Sequence, residues 1–161
     1  MGEGVDGKAG DPSFHTGPEL SRVRPEWVDH YGHMNMAFYL AVFDMATDQL
    51  WPDLRLGPTL HSRGFGTFAA EAWVNYVREV REGMPLTCTN EVLAYDGKRL
   101  IALHRMYHAT EGWLAAENEV LYLCMDMNLR KVGLWPEDVL ERFAATCTGR
   151  PPRRLALKRR D

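Results

Sequence analysis

Cysteine is scarce in this chain, uninterrupted apolar stretches are short, and net charge is small; each scarcity closes off a class of protein. The three cysteines, Cys88, Cys124 and Cys147, are too few and too scattered for a disulfide framework, and no Cys-x-x-Cys pair suggests zinc. No apolar run reaches the roughly 18 residues of a membrane-spanning helix. The longest, Met36 to Trp51, falls short and carries Asp44 and Asp48. No basic region followed by a hydrophobic stretch opens the chain, so no signal peptide is visible. These absences lead us to expect a soluble, cytoplasmic protein with no membrane partner. The net charge of −3 is unevenly spread: residues 150–161 hold six basic residues against Asp161, a net of +5 that leaves −8 elsewhere. An acidic body with a short basic end is a poor nucleic-acid binder.

What is present suits one packed domain. The chain has 161 residues, 45% of them hydrophobic, and five Trp, enough for a single core. Residues 1–18 are rich in Gly and Pro and read as a flexible arm, 19–147 as the domain, and 148–161 as a basic, disordered tail. Leu20 to Arg24 is a short strand candidate. Asn35 is a good helix N-cap and Pro52 a stop, so a helix is predicted over about 35–51. Along it Tyr39, Phe43, Ala46 and Leu50 form one apolar row, with Phe38, Val42 and Met45 beside it. A helix apolar on most of its circumference is buried, so something must wrap it. Four strands follow: Phe68 to Val80, Leu86 to Tyr95, Lys98 to His108 and Trp113 to Asp126, with Asp96-Gly97 marking a tight hairpin. Pro136 to Ala145 forms a short closing helix. The order predicts an α+β fold, a curved antiparallel sheet around a central helix.

The chemistry concentrates in Asp29-His30-Tyr31-Gly32-His33-Met34-Asn35, just before that helix. A helix N-terminus offers unpaired N–H groups and partial positive charge that polarise a carbonyl or hold an anion. Asp29 is the candidate base or nucleophile, and the first-turn amides around Asn35, Met36 and Ala37 the candidate carbonyl donors. Gly32 lets the backbone bend toward a substrate. His33 either orients Asp29 or a water, or bonds a neighbouring carbonyl; Asn35 caps the helix, with substrate contact as its second role. His30 and His33 have a His-x-x-His spacing, but a third metal ligand is missing, so no metal is expected.

This heptapeptide, followed by Tyr39 and Phe43, resembles the Asp-x-x-Gly-His-x-Asn loop of hot-dog-fold acyl-CoA thioesterases of the 4-hydroxybenzoyl-CoA thioesterase-like group, and the element order agrees over about residues 20–145. Asp96-Gly97-Lys98-Arg99-Leu100, with His104 and Glu117-Asn118-Glu119, is also similar to the thioesterase modules of carnitine breakdown, which hydrolyse betainyl-CoA. The resemblance implies hydrolysis of an acyl-CoA by Asp29 without metal or redox cofactor, coenzyme A being part of the substrate. It implies a homodimer joined edge to edge, with sites at the interface and frequent pairing into tetramers. The second half of the site then comes from the Phe68 to Val80 strand: Glu71, Trp73, Asn75 and Tyr76, with Asn75 where plant acyl carrier protein thioesterases carry a glutamate. Arg78, Arg81, Lys98 and Arg99 are the candidate phosphate contacts. Trp73, Trp113 and Tyr76 are a candidate aromatic wall for a trimethylammonium acyl group. Two other readings are an enoyl-CoA hydratase or dehydratase of the same fold, which typically pairs an Asp with a His at longer spacing, and a non-catalytic acyl-CoA-binding module.

Overall fold

The computed structural model describes residues 11–157. Its central element, α1 (Met36–Leu54), starts where the sequence predicts, with the Asn35 side chain accepting the Ala37 N–H at 3.0 Å. Tyr39, Val42, Phe43, Ala46, Thr47, Leu50 and Leu54 are its buried residues. Two details differ from expectation. Pro52 lies inside the last turn instead of stopping the helix, because a missing N–H so near the end forfeits one bond; Arg55, at φ +59°, closes the helix and donates to the carbonyl of Pro52. The helix is also enclosed on only part of its circumference in a single chain: Met36, Ala37, Leu40, Asp44 and Asp48 lie along an exposed strip.

Five antiparallel strands curve around the helix in the order β1-β3-β4-β5-β2. They are β1 (Ser21–Arg22), β2 (Phe65–Tyr76), β3 (Pro85–Tyr95), β4 (Arg99–His108) and β5 (Leu114–Asp126). A short β6 (Lys131–Val132) pairs with the end of β5, α2 (Pro58–His61) leads into β2, and α3 (Glu137–Thr146) closes the fold. This is the hot-dog arrangement. Alternation sorts the strand residues onto two faces. Leu100, Ala102, Val120 and Tyr122 belong to the core shared with α1, whereas Ile101, Leu103 and Leu121 form a separate cluster on the outer face with Leu93.

The inner face carries one buried polar network. Fully buried His104 sits between Asn90 Oδ1, 2.7 Å from Nδ1, and the Tyr122 hydroxyl, 2.9 Å from Nε2, while Asn90 donates to the Ala46 carbonyl of α1 at 3.0 Å. Burial pushes the His104 pKa down to about 4, so the ring is neutral in the folded state.

The outer face is covered by the chain's own C-terminal segment, which corrects the expected disordered tail as far as the described residues reach. Arg150 pairs with Glu91. The backbone N–H groups of Arg153, Arg154 and Leu155 donate to the carboxylate of Glu119, which is 1% exposed, at 2.6, 2.9 and 3.1 Å. Arg153 also donates to Glu117 at 2.9 Å, and Leu155 and Leu157 pack on the outer cluster. Buried carboxylates demand such partners, and among the described residues Glu117 and Glu119 find them in this strap and in Arg105 and Asn75. Lys158, Arg159 and Arg160 lie outside the described residues. The predicted loose arm departs from expectation likewise: residues 11–18 dock beside the β4–β5 turn, with His15 N–H donating to the Gly112 carbonyl at 2.9 Å and the Tyr107 hydroxyl to Pro12 at 2.7 Å. Residues 1–10 are not described.

Replacing Glu119 by Gln puts an NH₂ against backbone donors; we expect a loss of about 1–3 kcal/mol and a melting point lower by several degrees. His104 makes stability depend on pH. Its folded pKa lies below the unfolded value of about 6.5, so the contribution is complete above pH 6.5 and is lost as pH falls toward 4, by up to about 3 kcal/mol. Chemical denaturation of His104→Gln beside the wild type therefore shows the stability gap narrowing between pH 7 and pH 4.5.

Candidate active site

The chain before α1 doubles back on itself. A 3-10 turn at Pro25–Trp27 leads into an antiparallel bridge between Val28 and Met34. Asp29 N–H donates to the His33 carbonyl, and Gly32 N–H returns to the Asp29 carbonyl, both at 3.0 Å. Gly32 turns this corner at φ +82°, which a side chain would strain. The loop is fastened to the segment after β2: Met34 N–H donates to the Val80 carbonyl at 2.9 Å, and Val80 N–H to the Tyr39 hydroxyl at 3.4 Å. Burial raises the pKa of Tyr39, whose phenol therefore stays protonated.

Asp29 uses one oxygen to hold this loop and keeps the other free. Its Oδ1 accepts the N–H of Tyr31 at 2.9 Å and of His33 at 3.4 Å, while Oδ2 bonds to no described residue. A parallel accounting narrows the carbonyl donors. The Asn35 N–H is taken by the Trp27 carbonyl at 2.8 Å, and the Ala37 N–H by the Asn35 side chain. Met36, the first helical residue, keeps an N–H with no acceptor among the described residues. The expected three-amide set reduces to one.

Asp29, His33, Asn35 and Met36 line an open cleft of about 470 Å³ with Tyr39, Tyr76 and Glu79. Tyr76 stands edge-on to Tyr39, centroids 5.0 Å apart, and its hydroxyl reaches the Met36 carbonyl at 3.4 Å. His33 Nε2 lies 3.0 Å from the Glu79 carboxylate. Glu79, Tyr31 and Met34 complete the lining and were not singled out from sequence.

The other candidates stand elsewhere in the same chain. Glu71, Trp73 and Asn75 belong to the outer face, since their register partners on β5 are Leu121, Glu119 and Glu117. Trp73 lies under Arg153 and Arg154 of the strap, and Asn75 donates to Glu117. Arg78 stacks on Trp113 at 4.0 Å. Lys98 and Arg99 occupy the β3–β4 turn, the length of β4, roughly 30 Å, from the Asp29 end of the sheet. There Arg99 pairs with Asp96. Among the described residues no group of His, Cys, Asp and Glu is placed to hold a metal ion, and no helix is long and apolar enough to cross a membrane.

Residues 23–143, which contain the loop, the helix and the sheet, match the thioesterase-like superfamily. The chain belongs to this superfamily. It is 34% identical over 124 residues to the betainyl-CoA thioesterase of Pseudomonas aeruginosa, covering 76% of this chain and 78% of that one. It is 31% identical over 119 residues to the L-carnitine dehydrogenase/betainyl-CoA thioesterase of Agrobacterium fabrum; that match takes in 72% of this chain but only 24% of the longer protein. A Staphylococcus aureus protein solved in complex with CoA shares the fold, with a TM-score of 0.70 at 23% identity over 89% of this chain and 92% of that one.

Asn35 is a cap whose value can be measured directly. Asn35→Ala is expected to cost about 1 kcal/mol, a drop of roughly 2–4 °C in melting temperature, since the Ala37 N–H loses its acceptor.

Proposed function

We propose that the protein hydrolyses an acyl-CoA thioester to the carboxylic acid and free coenzyme A, with Asp29 as the general base or nucleophile and the Met36 N–H polarising the thioester carbonyl. The observation that carries this reading is the pairing of two unengaged groups on one cleft: Asp29 Oδ2 and the Met36 amide at the positive end of a 19-residue helix. As oxygen attacks the carbonyl carbon, negative charge collects on the carbonyl oxygen, where a fixed N–H stabilises it more than in the ground state. The carbon–sulfur bond then breaks, its electron pair stays on sulfur, and a proton from water converts the thiolate to the free thiol.

The cleft also favours one kind of acyl group. Asp29 and Glu79 supply carboxylates and Tyr31, Tyr39 and Tyr76 supply aromatic rings; among the described residues no Lys or Arg lines it, the nearest cation beside the loop being Arg81, whose backbone bridges to His33. Rings and carboxylates together attract a cation and repel an anion. A small acyl group with a fixed positive charge fits, and betainyl, the acyl group named for the Pseudomonas aeruginosa relative, is such a group.

The working unit in this reading is a homodimer. Among the described residues the twelve-residue β2 pairs only with β5, and a long free edge invites pairing. Two β2 strands side by side and antiparallel bring the Phe65 end of one copy to the Tyr76 end of the other, where the cleft opens. Residues from the second copy then complete each site, which gives Glu71 and the Lys98–Arg99 turn a route to the substrate that a single chain denies them.

Two substitutions test the mechanism by thiol release. Asp29→Asn is expected to fold and to lose about 10²–10⁴ in kcat. Met36→Pro removes the one N–H without disturbing the helix, since proline is favoured at the first helical position and Asn35, at φ −61° and ψ 143°, already has the conformation required before proline. It is expected to lose about 10²–10³ in kcat with its melting temperature preserved. Full activity in either variant contradicts the assignment.

A further inference from the structure

We propose that Asn118 is a specificity-determining residue, its side-chain carbonyl receiving the charged end of the acyl group; this rests on the cationic-acyl reading above. Asn118 lies on β5 and is 3% exposed, yet its Oδ1 has no hydrogen-bond partner among the described residues. A buried acceptor left without a donor destabilises a protein, so its presence calls for a reason. Position supplies one.

Asn118 faces the helix: its register partners, Val74 on β2 and His104 on β4, are inner-face residues that pack on or beside the core of α1. Two residues away along the same face is Ala116, which pairs with Tyr76 of the cleft. Two strand residues span about 7 Å, so Asn118 sits one step deeper than the tyrosine pair. That is the depth an acyl group of a few heavy atoms reaches when its carbonyl is at the Met36 N–H.

The surroundings admit positive charge at that depth. His104, the neighbour in register, is neutral and has both ring nitrogens engaged. Tyr76, whose register partner Ala116 lies two residues from Asn118 along β5, is 43% exposed and held through its hydroxyl by one long bond to Met36. A trimethylammonium has no N–H to donate; its charge resides on methyl hydrogens that interact with carbonyl oxygens and ring faces without a directional hydrogen bond. An orphaned amide oxygen one register step from the tyrosine pair offers both.

The test compares two thioesters of equal shape, betainyl-CoA and 3,3-dimethylbutyryl-CoA, in which carbon replaces the charged nitrogen. Wild type is expected to favour the cation. In Asn118→Leu, close to isosteric, the ratio of kcat/KM values for the two esters is expected to fall about 10- to 100-fold, with the neutral ester turned over within threefold of wild type. Because the orphaned oxygen is gone, the melting temperature is expected to hold or rise by a few degrees. Asn118→Ala, which cannot overpack, serves if the leucine variant fails to fold. An unchanged ratio, or equal loss on both esters, overturns the role of Asn118 alone. Wild type indifferent to charge overturns the cationic-acyl reading, and the assignment of Asn118 falls with it.

Discussion

The first turn of a helix leaves backbone N–H groups that the helix itself cannot satisfy, and here the fold disposes of all of them near the loop except one. The Trp27 carbonyl takes the Asn35 amide and the Asn35 side chain takes the Ala37 amide, so Met36, which lines the cleft, is left with an N–H that no described residue accepts. The same loop spends Asp29 Oδ1 on its own backbone, while Oδ2 bonds to no described residue. A short chain of bonds ties this loop to the helix. The loop is tied to Val80, Val80 is tied to Tyr39, and Tyr39 belongs to the helix whose opening amide is at issue.

The sheet works under a different constraint, because both of its faces and one of its edges must be accounted for. The inner face is filled by α1. The outer face holds Glu117 and Glu119, which no hydrophobic neighbour can satisfy, and the strap from Thr148 to Leu157 answers them with backbone amides and Arg153. The edge is β2, and nothing within the described chain covers it. Tyr76, at the end of this edge strand, also lines the cleft.

Much of this was legible before any coordinates. Asn35 announced the helix start, the apolar rows along it announced a wrapped helix, and period-two runs divided by Gly-containing turns announced the strands. What failed has physical causes. Pro52 reads as a stop, but a proline in a final turn forfeits only one bond. The strap was read as a tail because Pro and Arg carry no periodicity; the signal lay in β5, where Glu117 and Glu119 sit amid a strand too apolar to be exposed and so needed cations or amides from elsewhere. Parity along β2 separates Tyr76, on the helix side, from Trp73 and Asn75, but the irregularity between Ala69 and Glu71 hides the count for residues before it. Which first-turn amide stays free depended on Trp27, whose carbonyl reaches Asn35 only after the loop has folded back.

The decisive measurement is a structure of the Asp29→Asn variant holding an uncleaved acyl-CoA. The thioester carbonyl oxygen is expected within about 3 Å of the Met36 nitrogen, with the carbonyl carbon facing the side chain at position 29. A thioester bound elsewhere, or one whose carbonyl is met by other donors while Met36 N–H points to solvent, contradicts it.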